Sequence, residues 1–133
     1  MTIHKSLVVT ASIERDWREV YDFASVPENF QRWAAGLGRR FERAKDGEWL
    51  AEDPAGRPIR IRFSPSNALG VLDHIVFLEG REYHNAVRVV PNGTGAEIMF
   101  TLLRMPETTD EEFAADAAAV QRDLNALKAL LER

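Results

Sequence analysis

The 133-residue sequence contains no cysteine. That absence excludes disulfides, thiol catalysis and thiolate metal sites, and it fits a reducing compartment. No run approaches the ~18 apolar residues of a membrane span, and no apolar segment follows the first residues. Neither membrane insertion nor a secretory leader is expected, and the expected location is cytoplasmic. Excess positive charge is also missing. The formal net charge is −4, which argues against nucleic acid or an acidic membrane as partner. No G-x-S-x-G, P-loop or G-x-G-x-x-G motif occurs. The three histidines are His4, His74 and His84, and no carboxylate–histidine spacing accompanies them. No metal site and no cofactor are therefore expected. With no repeat, linker or low-complexity tract, residues 1–133 are expected to form one domain.

What the chain does have is a long final helix. From Thr109 to Arg133 the apolar residues fall at Phe113, Ala117, Val120, Leu124, Leu127 and Leu131, one stripe of an amphipathic helix. Thr109 and Glu112 form a capping box, and Asp110 and Glu111 sit where the helix dipole favours negative charge. A two-stranded coiled-coil seam has a similar period, but about three heptads inside a mixed chain read as core packing. Earlier, Ser6 to Ile13 reads as a strand, with Leu7, Val9, Ala11 and Ile13 on one face. Glu14 to Val26 reads as a helix ended by Pro27. Glu28 to Ala35 reads as a shorter helix stopped at Gly36 and Gly38.

Six strands are expected next: Arg39–Ala44, Glu48–Asp53, Pro58–Phe63, Val71–Leu78, Glu82–Val90 and Ala96–Leu103. Tight turns between them imply an antiparallel sheet, and helices against one side make an α+β fold. Two-residue turns at Glu79-Gly80 and Asn92-Gly93 fix a register. They set His74 opposite Asn85, Val76 opposite Tyr83, Leu72 opposite Val87, and Val87 opposite Ile98. Arg88 then faces Glu97 across the outer surface. The inner face carries Leu72, His74, Val76, Tyr83, Asn85, Val87, Val89, Ile98, Phe100 and Leu102. His74, Tyr83 and Asn85 are unusual there, because buried polar groups need partners. Either they bond one another, a trapped water or a loop carbonyl, or they line a ligand pocket. His74 and His84 point to opposite faces and cannot share a metal. The outer face carries Ile75, Phe77, Met99 and Leu103, which suggest a homodimer patch or ordinary exposed apolar residues.

The layout resembles the START-like, Bet v 1-like (SRPBCC) superfamily, and within it bacterial polyketide cyclase/dehydrase-like members. The residues that carry the likeness are SLVVTASI running into ERDWREVYDFASVPENFQRW, GVLDH at Gly70–His74, VVPNGTGAEIMFTLLR at Val89–Arg104, and DLNALKALLE in the last helix. The resemblance implies a helix-grip fold. In it a curved seven-stranded antiparallel sheet wraps the C-terminal helix, with two short helices after the first strand and an apolar cavity beneath the long helix. It further implies binding of hydrophobic or aromatic small molecules such as lipids, sterols, polyketides or plant hormones. Some members are cyclases, and others resemble activators of a heat-shock chaperone. The superfamily has no single catalytic motif, so no catalytic residue is carried over. The Rieske domain and iron-binding histidine pair of its oxygenase members are not found here.

The expected function is binding of a small hydrophobic ligand between sheet and final helix. Trp33, at a helix end broken by glycine, is expected at the cavity mouth. Ile59, Ile61, Phe63, Leu72, His74, Tyr83, Asn85, Val87, Phe100, Val120 and Leu124 are expected to line the space. A cyclase or dehydratase would use His74 as acid or base, with Tyr83 or Asn85 holding a carbonyl or enolate oxygen. A protein-interaction module docked through the outer apolar residues is the third reading.

Overall fold

The computed structural model describes residues 2–35 and 38–133. One antiparallel sheet of seven strands follows the order β1-β7-β6-β5-β4-β3-β2. The strands are β1 (Ser6–Ile13), β2 (Arg39–Arg43), β3 (Glu48–Glu52), β4 (Pro58–Phe63), β5 (His74–Leu78), β6 (Arg81–Asn92) and β7 (Gly95–Leu103). Two short helices, α1 (Trp17–Ala24) and α2 (Phe30–Trp33), follow β1, and the long α3 (Asp110–Leu131) closes the chain. The sheet curves round α3, which is the helix-grip arrangement.

The helix ends follow side-chain chemistry. Thr109 accepts the Glu112 N–H at 3.1 Å, while the Glu112 carboxylate accepts the Thr109 N–H at 2.9 Å. This reciprocal capping box satisfies two donors that the helix cannot. Phe113, Leu124 and Leu127 are buried beneath α3, while Ala117, Val120 and Leu131 are partly buried. α1 is shorter than Glu14–Val26, because Asp16 caps it by accepting the Arg18 N–H at 3.0 Å and so fixes its start. The second helix divides into a 3-10 turn at Pro27–Asn29 and the single turn of α2. α2 ends at Trp33, with Ala34 as its C-cap. Gly36 lies outside the described residues. A Cβ on Gly38 would stand 2.8 Å from the Glu52 carbonyl oxygen, so backbone proximity accounts for that glycine.

The Glu79-Gly80 turn has two residues, both at positive φ (51° and 77°), and the expected register between β5 and β6 holds. The next hairpin differs. Asn92 pairs with Gly95, so the turn is Gly93-Thr94 rather than Asn92-Gly93. Gly93 takes the first central position at φ 58°, the glycine-first arrangement of a type II′ hairpin. A slip of two residues keeps every side chain on its expected face but changes its partner. Val87 therefore faces Phe100, Val89 faces Ile98 and Arg88 faces Met99. Arg88 does not meet Glu97; it pairs with Asp73 at 3.0 Å. On the outer surface, the Arg60 and Arg62 guanidinium groups lie over the Phe77 ring, at 4.1 and 5.4 Å from its centroid. Phe77 is thus covered by cations rather than presented as an apolar patch.

β5 begins at His74, not Val71, although Val71 still bridges Arg88 and the register continues. The interruption comes from Asp73. Leu72 donates its N–H to the Val87 carbonyl at 2.8 Å, yet the Val87 N–H donates to Asp73 Oδ1, also at 2.8 Å. A side-chain carboxylate has taken the place of the Leu72 carbonyl in the ladder. Gly70 (φ 72°) sits just before it, where a Cβ would lie 2.1 Å from the Val89 carbonyl oxygen.

Candidate functional site: a cavity under the long helix

The inner face of the sheet and the facing sides of α2 and α3 line a cavity of about 340 Å³ that is open to solvent on one side. That volume is at the low end of the ~300–1,000 Å³ typical of small-molecule sites. β4 contributes Ile59. β5 and the bridge before it contribute Leu72, His74 and Val76, and β6 contributes Tyr83, Asn85 and Val87. Phe100 comes from β7, Phe30 and Trp33 from α2, and Val120 and Leu124 from α3. Of the residues expected to line the space, Trp33, Ile59, Leu72, His74, Tyr83, Asn85, Val87, Phe100, Val120 and Leu124 are brought together on its wall.

Ile61 and Phe63 are not on that wall. Strict alternation along β4 places them on the inner face beside Ile59, but other side chains cover them. Ile61 is fully buried with Ala51, Ile59 and Val76. Phe63 stacks on Phe30, ring centroids 4.8 Å apart, and also contacts His74 at 6.0 Å. The aromatic contact from α2 fills the space that alternation alone leaves open.

His74 is buried and fully engaged. Its Nδ1–H donates to the Leu72 carbonyl at 3.2 Å, and Nε2 lies 3.2 Å from the Asn85 amide nitrogen, which donates to it. The Leu72 carbonyl sets the ring's tautomer, since a neutral ring that donates from Nδ1 must accept at Nε2. Burial holds the His74 pKa below the ordinary imidazole value, so the ring is neutral. Phe30 and Phe100 stand edge-on to it, with centroids 6.1 and 6.2 Å away. His84 lies on the outer face, 3.1 Å from Glu82, so the two histidines do not converge.

Four charged residues on the wall escaped sequence reasoning: Asp53, Arg57, Asp116 and Asp123. Asp53 is 7% exposed and accepts the N–H groups of Ala55 (3.0 Å) and Arg57 (2.8 Å) and the Arg57 guanidinium (2.7 Å). Burial pushes its carboxyl up, but the Arg57 and Ala55 hydrogen bonds outweigh that and hold it below the usual carboxylate value. On α3, partial burial and the nearby Glu112 carboxylate push the Asp116 carboxyl up. The seven-residue spacing of Asp116 and Asp123, alongside the stripe at Val120 and Leu124, was the one available signal. Nothing local in the sequence connects Asp53 to that helix.

No family model matches the sequence, and no curated protein matches it. Solved structures do match it closely in shape. DynU16, from the dynemicin biosynthetic locus, superposes with a TM-score of 0.74 at 14% identity over 96% of this chain. The chain spans 47% of DynU16's length. The Aha1 dimer from Colwellia psychrerythraea matches with a TM-score of 0.74 at 14% identity, covering 96% of both chains. Ara h 8.0201 matches with a TM-score of 0.70 at 9% identity, over 96% of this chain and 97% of that one. The chain shares the helix-grip fold of these structures. At these identities the likeness establishes the architecture alone.

Proposed function

We propose that this helix-grip protein binds a small hydrophobic or aromatic molecule, lipid-like or polyketide-like, between the sheet and α3. One observation carries the reading: a cavity of about 340 Å³ whose wall is mainly apolar and aromatic, with a few polar groups among them. That composition suits a ligand held by burial of apolar surface and oriented by one or two hydrogen bonds. Leu72, Val87, Phe100, Val120 and Leu124 supply the apolar contact, and Trp33, Tyr83 and Asn85 supply the anchors. Native mass spectrometry of protein purified gently from its own host tests this. A stoichiometric mass increment that disappears on denaturation supports it. A bare mass, with no binding from a panel of neutral aromatic and aliphatic compounds, defeats it.

A second reading, a cyclase or dehydratase using His74 as acid or base, draws support from the ring's place on the cavity wall. Both ring nitrogens are already hydrogen-bonded and the ring is held neutral, which favours binding over proton transfer. If His74→Gln abolishes turnover while ligand affinity survives, the enzyme reading prevails. A homodimer, or a partner-binding role of chaperone-activator type, stands as a further proposal for the outer surface; sedimentation at micromolar concentration tests the dimer. A cytoplasmic location is proposed with it. Among the described residues no helix is long and apolar enough to cross a membrane.

A further inference from the structure

The hydrogen bonds of His74 fix more than the ring itself. Its Nδ1 faces the Leu72 carbonyl at 3.2 Å, and a carbonyl can only accept, so that nitrogen holds the ring's proton. The rings of Phe30, Phe63 and Phe100 surround the imidazole with centroids 6.0 to 6.2 Å away, and burial keeps it neutral. A neutral imidazole protonated at Nδ1 has a bare Nε2. The group 3.2 Å from that lone pair is the Asn85 carboxamide, which must therefore present its nitrogen. An amide turned the other way would set an oxygen against the lone pair. The Leu72 carbonyl thus fixes, through His74, the orientation of a side chain on the neighbouring strand.

With its nitrogen committed to His74, Asn85 has its oxygen left. Among the described residues nothing donates to Asn85 Oδ1, and that oxygen is not sealed from solvent. Asn85 sits on the inner face of an interior strand and is only partly buried, so its uncovered surface belongs to the cavity wall. The cavity therefore holds an open acceptor of fixed direction beside apolar and aromatic side chains. The Tyr83 hydroxyl, two residues away on the same face, can both give and take a hydrogen bond and so favours neither kind of ligand. We infer that His74 is a positioning residue for Asn85, and that the Asn85 carboxamide oxygen selects a ligand carrying a hydrogen-bond donor, a hydroxyl or N–H, over the same skeleton carrying only an acceptor. This rests on the binding reading above and adds to it the hydrogen-bond polarity that the cavity takes.

Three probes with one carbon skeleton test it: naphthylpropanol, propionylnaphthalene and propylnaphthalene, which carry a hydroxyl, a carbonyl and neither. Each is titrated calorimetrically into wild type and His74→Phe. In wild type the alcohol should bind about tenfold more tightly than the ketone, the effect of one net hydrogen bond. Phenylalanine keeps a ring on the wall but cannot accept from Asn85, whose amide is then free to turn either way. The preference for alcohol over ketone should fall to within about twofold in His74→Phe. A purely structural role for His74 would weaken all three probes together and leave the preference intact. An alcohol that binds wild type no more tightly than the ketone, or a preference that survives His74→Phe, overturns the inference while the binding reading stands. If none of the three binds wild type, both fall. If His74→Phe does not fold, ¹⁵N spectra of the wild type decide. His74 should show a bare Nε2 with and without the alcohol; a proton on Nε2 in the alcohol complex overturns the inference.

Discussion

Leu124 and Leu127 lie one turn apart on α3 and are buried to 1% and 0% exposure. Only Leu124 borders the cavity. Truncating either to alanine removes about three carbons, a transfer loss of about 2.5 kcal/mol at ~0.8 kcal/mol per methylene. Leu127 is enclosed by packed side chains, so Leu127→Ala also opens a new void. At ~24 cal/mol per Å³, a residual hole of about 60 Å³ adds about 1.5 kcal/mol, for a total of about 4 kcal/mol. Leu124→Ala merely enlarges a space that is already there, so its cost stays near about 2.5 kcal/mol. Urea unfolding followed by circular dichroism reads the difference. With a slope of about 1.5 kcal/mol per molar, the Leu127→Ala midpoint should fall about 1 M below that of Leu124→Ala. Equal midpoints, or the reverse order, would mean that α3 packs equally tightly along both turns and that no hollow lies beneath Leu124.

Four further outcomes are expected. Burial lowers the His74 pKa in the folded chain, so the unfolded chain binds a proton that the folded one resists. Stability should be complete above about pH 6.5 and decline as pH falls below it, and His74→Gln should remove that decline in pH-dependent unfolding scans. Asp73, held below its usual value chiefly by the Arg88 guanidinium, should add a separate loss only below about pH 4, abolished in Asp73→Ala. Gly70→Ala forces a side chain into positive φ and against the Val89 carbonyl. It should cost about 3 kcal/mol or more, whereas Thr109→Ala, which removes one cap, should cost about 1 kcal/mol by thermal melting.

Much of the architecture could be read from residue pattern alone. Alternation in PIRIRF and the stripe on α3 fix which faces turn inward, because a buried face tolerates few exceptions. The error at Asn92-Gly93 shows what pattern leaves open. Asn-Gly is a strong turn signal, but Gly93-Thr94 also makes a two-residue loop, and both keep the apolar residues inside. Only the cross-strand partners differ, which is why Arg88 was matched to Glu97 rather than Asp73. At the cavity, period-two reasoning brought His74, Tyr83, Asn85 and Val87 to one face. It could not foresee Phe30 capping Phe63, because that contact depends on how α2 docks. Asp53 and Arg57 were missed for a similar reason, since their approach to α3 is set by sheet curvature, which no short segment encodes.

The most direct test of the account locates a bound molecule. In an isotope-filtered NMR experiment with naphthylpropanol or a co-purified compound, intermolecular NOEs should connect ligand protons to the methyl groups of Leu72, Val87, Val120 and Leu124. NOEs confined to outward-facing methyls such as Val8 and Leu50, or saturating probe with no NOE to the cavity methyls, would contradict it.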